Sequence, residues 1–173
     1  MIITIDVSST NIGWAIGETF NCDNNSQLIN SGFIKLKRHK KYQFDNRLVD
    51  VMFGLNNVFK QLNLDKPLTV IFESPKVAYR GAYGFGKQKE FLGICELALL
   101  NNLGDNYNYE LLNLIQIQAI QWQRFYSKKT KDKTWSVKSA SELSNHNILD
   151  DNESDAINMY YVADKIILNT NKK

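Results

Sequence analysis

Cysteine, proline and histidine are scarce in this chain of 173 residues, with two of each. Cys22 and Cys95 stand far apart, which excludes a disulfide framework and fits a reducing compartment, so a cytoplasmic location is expected. With His39 and His146 as the only imidazoles, a Cys/His zinc site is not expected. No apolar run approaches the ~20 residues that cross a bilayer, and no basic stretch precedes the first apolar run. Neither a membrane partner nor a signal peptide is therefore expected. Internal repeats and low-complexity linkers are also missing, so residues 1–173 read as a single domain. A dominant charge sign is lacking too, since 21 Lys and Arg against 18 Asp and Glu leave +3.

What the chain does have is 43% hydrophobic residues, ample for a buried core, and charge that is strongly segregated. "KLKRHKK" (35–41) and "KKTKDK" (128–133) are basic clusters, and "DDNESD" (150–155) is acidic. Basic clusters near aromatics suit phosphate backbones, although either one alone equally suits a solvated surface.

The hydrophobic pattern predicts strands at 1–6, 12–17, 28–36, 68–74 and 110–117. Helical spacing covers 43–63, and further helices are expected near 87–103, 118–126, 135–145 and 153–168. Three strands on short connections form a meander. Two more, reached by helical crossovers, complete a mixed sheet flanked by helices, an α/β fold.

Two carboxylates end apolar strands in this reading: Asp6 in "TIDVSSTNIGWAI" and Glu73 in "LTVIFES". Sites of α/β sheets gather at strand ends. A third, Asp155, opens the apolar stripe of the last helix, with Asp151 four and Asn152 three residues earlier. Each acid has a plainer role by itself. Asp6 can accept from the turn at Ser8–Thr10, Glu73 can be a surface acid, and Asp150 or Asp151 can cap the helix. Gathered together they repel unless a cation joins them, and an all-oxygen donor set favours Mg²⁺ or Mn²⁺. Two such ions can activate water and stabilise a leaving oxygen in phosphodiester cleavage.

"GAYGFGKQ" (81–88) comes close to a phosphate-binding loop, but Gln88 stands where a Ser or Thr hydroxyl is needed. The stretch is expected instead to be a flexible DNA-contacting segment. There Tyr79, Arg80, Tyr83, Phe85, Lys87 and Lys89 mix aromatic faces with cations.

"IDVSSTNIGWAI", the glutamate of "VIFESPK" and the late "DNESDAI" together resemble the RuvC family of Holliday-junction resolvases, within the RNase H-like superfamily. The likeness spans nearly the whole chain and is nearest to the small bacteriophage members. It implies an RNase H-like fold and a divalent-metal-dependent endonuclease, a crossover junction endodeoxyribonuclease that resolves four-way DNA by paired nicks. It also implies a homodimer, because two matched nicks need two sites on a two-fold axis, and a bacterial host's cytoplasm if phage-encoded. The apolar helix near 87–103 is a candidate dimer face. Asp6, Glu73 and Asp155 are implied as ligands of two Mg²⁺ or Mn²⁺ ions. The family's usual fourth acid falls on Asn152, a departure: either Asp151 supplies the fourth ligand, the preferred reading, or Asn152 coordinates the metal through its amide oxygen, with Glu153 a weaker candidate. A basic stretch implied to contact phosphate maps to Lys128, Lys129, Lys131, Lys133 and Lys138. Lys133 and Lys138, nearest the acidic motif, are the preferred pair for stabilising transition-state charge. Two readings compete. One is a non-catalytic nucleic-acid-binding relative, kept open by Asn152. The other is an actin-like or sugar-kinase-type ATPase, which shares the first strand and turn but needs two such domains.

Overall fold

The structure, a computed structural model, describes residues 1–8, 10–18, 27–37, 46–74, 81–126 and 134–170, with side chains omitted for 81–85 and 87. Strands β1 (Ile2–Val7), β2 (Asn11–Gly17) and β3 (Leu28–Lys35) form the expected antiparallel meander. β4 (Leu68–Glu73) and β5 (Leu112–Ile117) add to it in parallel, giving the order β3-β2-β1-β4-β5. Helix α1 (Arg47–Phe59) links β3 to β4, and α2 (Gly81–Leu103) links β4 to β5. After β5 come α3 (Ala119–Gln123), α4 (Thr134–Ser144), α5 (Asp151–Tyr161) and α6 (Ala163–Thr170).

The centre of the sheet is covered on both faces, which is why β1 is an almost unbroken apolar run buried at every position. Strand alternation sends Ile3, Ile5 and Val7 into a core with α1 and α2. The opposite face carries Ile2, Ala15, Ile71, Ile115 and Ile117, packed against α3 to α6. Thr4 and Asp6 share that second face by alternation. Among the described residues no helix is long and apolar enough to cross a membrane.

Two expectations need correction. Residues 81–88 are the first turns of α2 and not a loop, so the helix starts six residues before 87. Three glycines argue against helix there, but propagation adds one hydrogen bond per residue fixed once a long helix exists. The final helix, expected to be continuous over 153–168, breaks at Val162, whose backbone leaves helical geometry (φ −117°, ψ 13°).

Candidate active site at the carboxyl ends of β1 and β4

β1 and β4 are parallel neighbours, and Asp6 stands in register with Glu73. Adjacent strands lie about 4.8 Å apart and in-register side chains share a face, so two carboxylates stand side by side facing the α5 layer. Asp6 is only 6% exposed. On its other side Asp6 pairs with Gly13 of β2.

That glycine lets the last layer reach the acids. A Cβ at Gly13 would lie 2.0 Å from the Asn152 carbonyl oxygen, and one at Gly17 would lie 2.1 Å from the Tyr160 hydroxyl. Gly13 to Gly17 spans about 13 Å of strand, and Asn152 to Tyr160 spans about 12 Å of helix. Helix α5 therefore runs along β2 in the same direction, seated on a strip of Gly13, Ala15 and Gly17. The Thr4 hydroxyl donates to the Ala156 carbonyl at 2.7 Å, fixing the helix against β1 as well. Asp155, one residue before Ala156, is thereby brought to the same end of the sheet as Asp6.

The start of α5 is bound to the β1–β2 turn by side chains. Asp150 is the N-cap, its Oδ1 accepting from the Asn152 and Glu153 amides at 2.9 and 3.1 Å. Its Oδ2 accepts from Asn11 Nδ2 at 2.7 Å. Asn152 is 9% exposed, and its Nδ2 donates to Ser8 Oγ at 3.3 Å and the Asn11 carbonyl at 3.4 Å. Ser8 closes the turn by accepting from the Thr10 and Asn11 amides. With the cap placed at Asp150, Asn152 points inward and Asp151 is exposed at the first helical position.

Two further residues touch the acids and carry no signal in the sequence. The indole Nε1 of Trp122, a fully buried residue of α3, donates to Glu73 Oε2 at 2.7 Å. The Ser136 hydroxyl of α4, also buried, donates to Asp155 Oδ1 in a short hydrogen bond. Ser136 lies 3.1 Å from the Ser154 hydroxyl. Its own Oγ and carbonyl accept from Asn158 Nδ2 at 3.0 and 2.9 Å.

The other expected residues are dispersed. Lys138 sits on the outer face of α4, its side chain 79% exposed and 3.9 Å from Glu142. Ser136, two positions earlier, faces the opposite way. Lys89 is exposed on α2. Tyr79, Arg80, Lys128, Lys129, Lys131 and Lys133 lie outside the described residues, as do the side chains of Tyr83, Phe85 and Lys87.

Among the described residues no three His, Cys, Asp or Glu are grouped so as to hold a metal ion by themselves. The fit to an ion rests instead on the Asp6–Glu73 pair. Mg²⁺ is commonly held by one or two carboxylates, waters and the oxygens of a phosphate substrate, so two in-register acids facing one layer match its donor set.

No protein-family model and no curated protein sequence matches the chain. Among solved structures it is similar to T. thermophilus RuvC in complex with a Holliday junction substrate, at 13% identity and TM-score 0.69, covering 98% of this chain and 96% of that one. A second Thermus thermophilus RuvC structure gives 13% identity and TM-score 0.62, with 95% of both chains covered. The yeast mitochondrial Holliday junction resolvase Ydc2 gives 12% identity and TM-score 0.55, covering 92% of this chain and 75% of that one. Over nearly its whole length, therefore, the chain has the fold of RuvC.

Proposed function

We propose that this protein is a structure-selective, divalent-metal-dependent endonuclease that resolves four-way DNA junctions by paired nicks. The observation that carries the reading is the in-register pair Asp6–Glu73 at the site end of a RuvC-like sheet, with Asp155 brought to that end by α5. Asp6 and Glu73 would hold the metal as a pair completed by water and the phosphate substrate, with Asp155 and, one turn before it, Asp151 as the further acids that α5 brings to the site. A divalent ion bound there supplies Lewis acidity, lowering the pKa of a water and stabilising the leaving oxygen. The chain's part is to orient its acids and to hold the scissile phosphate beside them. The lysine-rich segment of 128–133 and the aromatic-basic stretch of 79–87 supply phosphate and base contacts, a partner surface that fits branched DNA.

A four-way junction takes two matched nicks, so the working unit in this reading is a homodimer. The outer face of α2 supports this, since Leu97, Leu100 and the adjacent Leu114 of β5 are each nearly half exposed.

A test is to incubate the purified protein with a labelled four-way junction and Mg²⁺, with linear duplex and forked DNA as controls. Asp6→Asn should abolish cleavage and keep junction binding, because Asp6 is buried at a strand end and touches little DNA. Wild-type nicking by Asp6→Asn would refute the site. Junction binding by the wild-type protein with no cleavage would favour the non-catalytic relative.

A further inference from the structure

Acids that hold a metal must themselves be held. A carboxylate free to rotate loses side-chain entropy when it binds an ion, and outer hydrogen bonds remove that loss in advance. Glu73 and Asp155 each have such a partner in the layer beyond them. Glu73 Oε2 accepts from the Trp122 indole at 2.7 Å, and Asp155 Oδ1 accepts from the Ser136 hydroxyl. Both donors are uncharged, so they orient an acid without neutralising the charge an ion needs.

The donors are fixed in turn. The Trp122 ring lies 6.3 Å from each of Tyr126 and Trp135, and the Tyr126 hydroxyl donates to the Asn158 carbonyl at 2.7 Å. Trp135 immediately precedes Ser136 on α4, so α3, α4 and α5 meet in one packed patch behind the acids. Asn158 is fully buried, and its Nδ2 donates to the Ser136 hydroxyl, the Ser136 carbonyl and the Ser154 carbonyl. A buried amide used in this way holds a serine in one place. Fold stability alone would be served as well by apolar groups of the same shape.

We propose that Ser136 and Trp122 are positioning residues, Ser136 orienting Asp155 and Trp122 orienting Glu73 for divalent-metal binding. The inference rests on the nuclease reading above, and the experiment separates the two. Mn²⁺ binding to the DNA-free protein is titrated by the electron paramagnetic resonance of free Mn²⁺, and junction cleavage and metal-free junction binding are measured in parallel. Ser136→Ala removes one hydroxyl, and Asn158 keeps two backbone acceptors, so the fold has little to lose. Trp122→Phe keeps most of the ring and deletes the N–H. Each should weaken Mn²⁺ binding about 10-fold and slow cleavage by about 10- to 100-fold, the usual range for such outer partners. Metal-free junction binding should stay within about twofold. Ser136→Thr, which restores the hydroxyl, should recover most of the lost Mn²⁺ affinity. Tyr161→Phe removes another hydrogen bond between α5 and α4, from the Tyr161 hydroxyl to the Leu143 carbonyl, without touching an acid, and should stay within about twofold of wild type throughout. A wild-type protein that neither binds Mn²⁺ nor cuts would end the nuclease reading and this proposal with it. A wild-type protein that does both, beside variants that match it, would overturn this proposal alone. Equal losses in Tyr161→Phe and Ser136→Ala would also overturn it, as a general effect of packing.

Discussion

Replacing Gly13 by Ala adds one methyl group, and the structure gives that methyl no room. Its ideal position is 2.0 Å from the Asn152 carbonyl oxygen, 2.1 Å from the Asn152 carbonyl carbon and 2.6 Å from the Glu153 amide nitrogen. Heavy atoms of this kind do not approach within 3.0 Å, so strand and helix must separate by at least 3.0 − 2.0 = 1.0 Å. Neither side yields cheaply. β2 is hydrogen-bonded to β1 and β3 along its length, and the start of α5 is tied to the turn through Asp150 and Asn152. Local backbone preference acts the other way, since Ala in a strand is favoured over Gly by about 0.5–1 kcal/mol. Overpacking against rigid backbone costs about 3 kcal/mol, the upper part of the usual range, so the clash wins. At this chain length that is a fall in Tm of about 6–12 °C. Activity should suffer more than stability, because the helix that shifts carries Asp155, and a 1 Å misplacement at a reacting centre costs about 100-fold. Thermal unfolding by circular dichroism and single-turnover junction nicking read the two effects. The matching change at Gly32 is the control, because its Cβ would first meet the Trp14 ring, a side chain, at 2.9 Å, and β3 is an edge strand that can move. A Gly13→Ala protein with Tm within about 2 °C of wild type and normal nicking would refute the docking of α5 on β2.

Three more outcomes are expected. Asp150→Ala should cost about 1–2 kcal/mol, through loss of the N-cap of α5 and of its bond to Asn11, measured by urea unfolding; an unchanged midpoint would remove the cap from the account. Asn152→Ala should lower stability through its lost bonds to the turn, whereas Asp151→Asn should leave stability within about 0.5 kcal/mol and reduce cleavage; the opposite ranking would make Asn152 the functional residue. Burial pushes the Tyr126 and Tyr161 phenols above their ordinary value of 10, so the fold holds their protons to higher pH than the unfolded chain does. Stability should be intact below about pH 10 and fall above it, with phenolate absorbance at 295 nm rising together with the loss of ellipticity. Titration of all tyrosines near pH 10 in a still-folded protein would contradict this.

The sheet was legible because its signals are local. Apolar runs, short turns and the acids ending β1 and β4 are each contained in a few residues, and parallel pairing then sets Asp6 beside Glu73. The start of α2 was hidden because glycine content is a weak guide once a long helix can propagate through it. The break at Val162 was hidden because the apolar stripe runs on, with Ala163 and Ile166 buried beyond it. At the site, helical spacing allowed either Asp151 or Asn152 to face inward. Which one does so depends on Asp150 taking the cap, a matter of one residue's backbone angles. Trp122 and Ser136 were invisible because a single indole or hydroxyl acquires its partner only from tertiary packing. Gly13 and Gly17 did carry a signal: alternate small residues in "GWAIG" mark a strand face on which a backbone can lie close.

The seating of α5 on β2 also bears on how the protein comes into being. Asp6 and Gly13 are synthesised well before Asn152 and Asp155, which lie roughly 140 residues further along. The meander can pair as soon as it leaves the ribosome, since its contacts are close in sequence, but its glycine strip has no cover until the far end of the chain arrives. At ~5–20 residues per second the stretch from Lys35 to Asn152 takes roughly six to twenty-three seconds. The loop closed by that docking spans roughly 140 residues, so this contact is expensive in chain entropy and belongs late in folding. A partly made or C-terminally truncated chain would hold the paired strand acids without Asp155 beside them. If the protein is the nuclease proposed above, that order of assembly withholds the complete set of acids until α5 has been made.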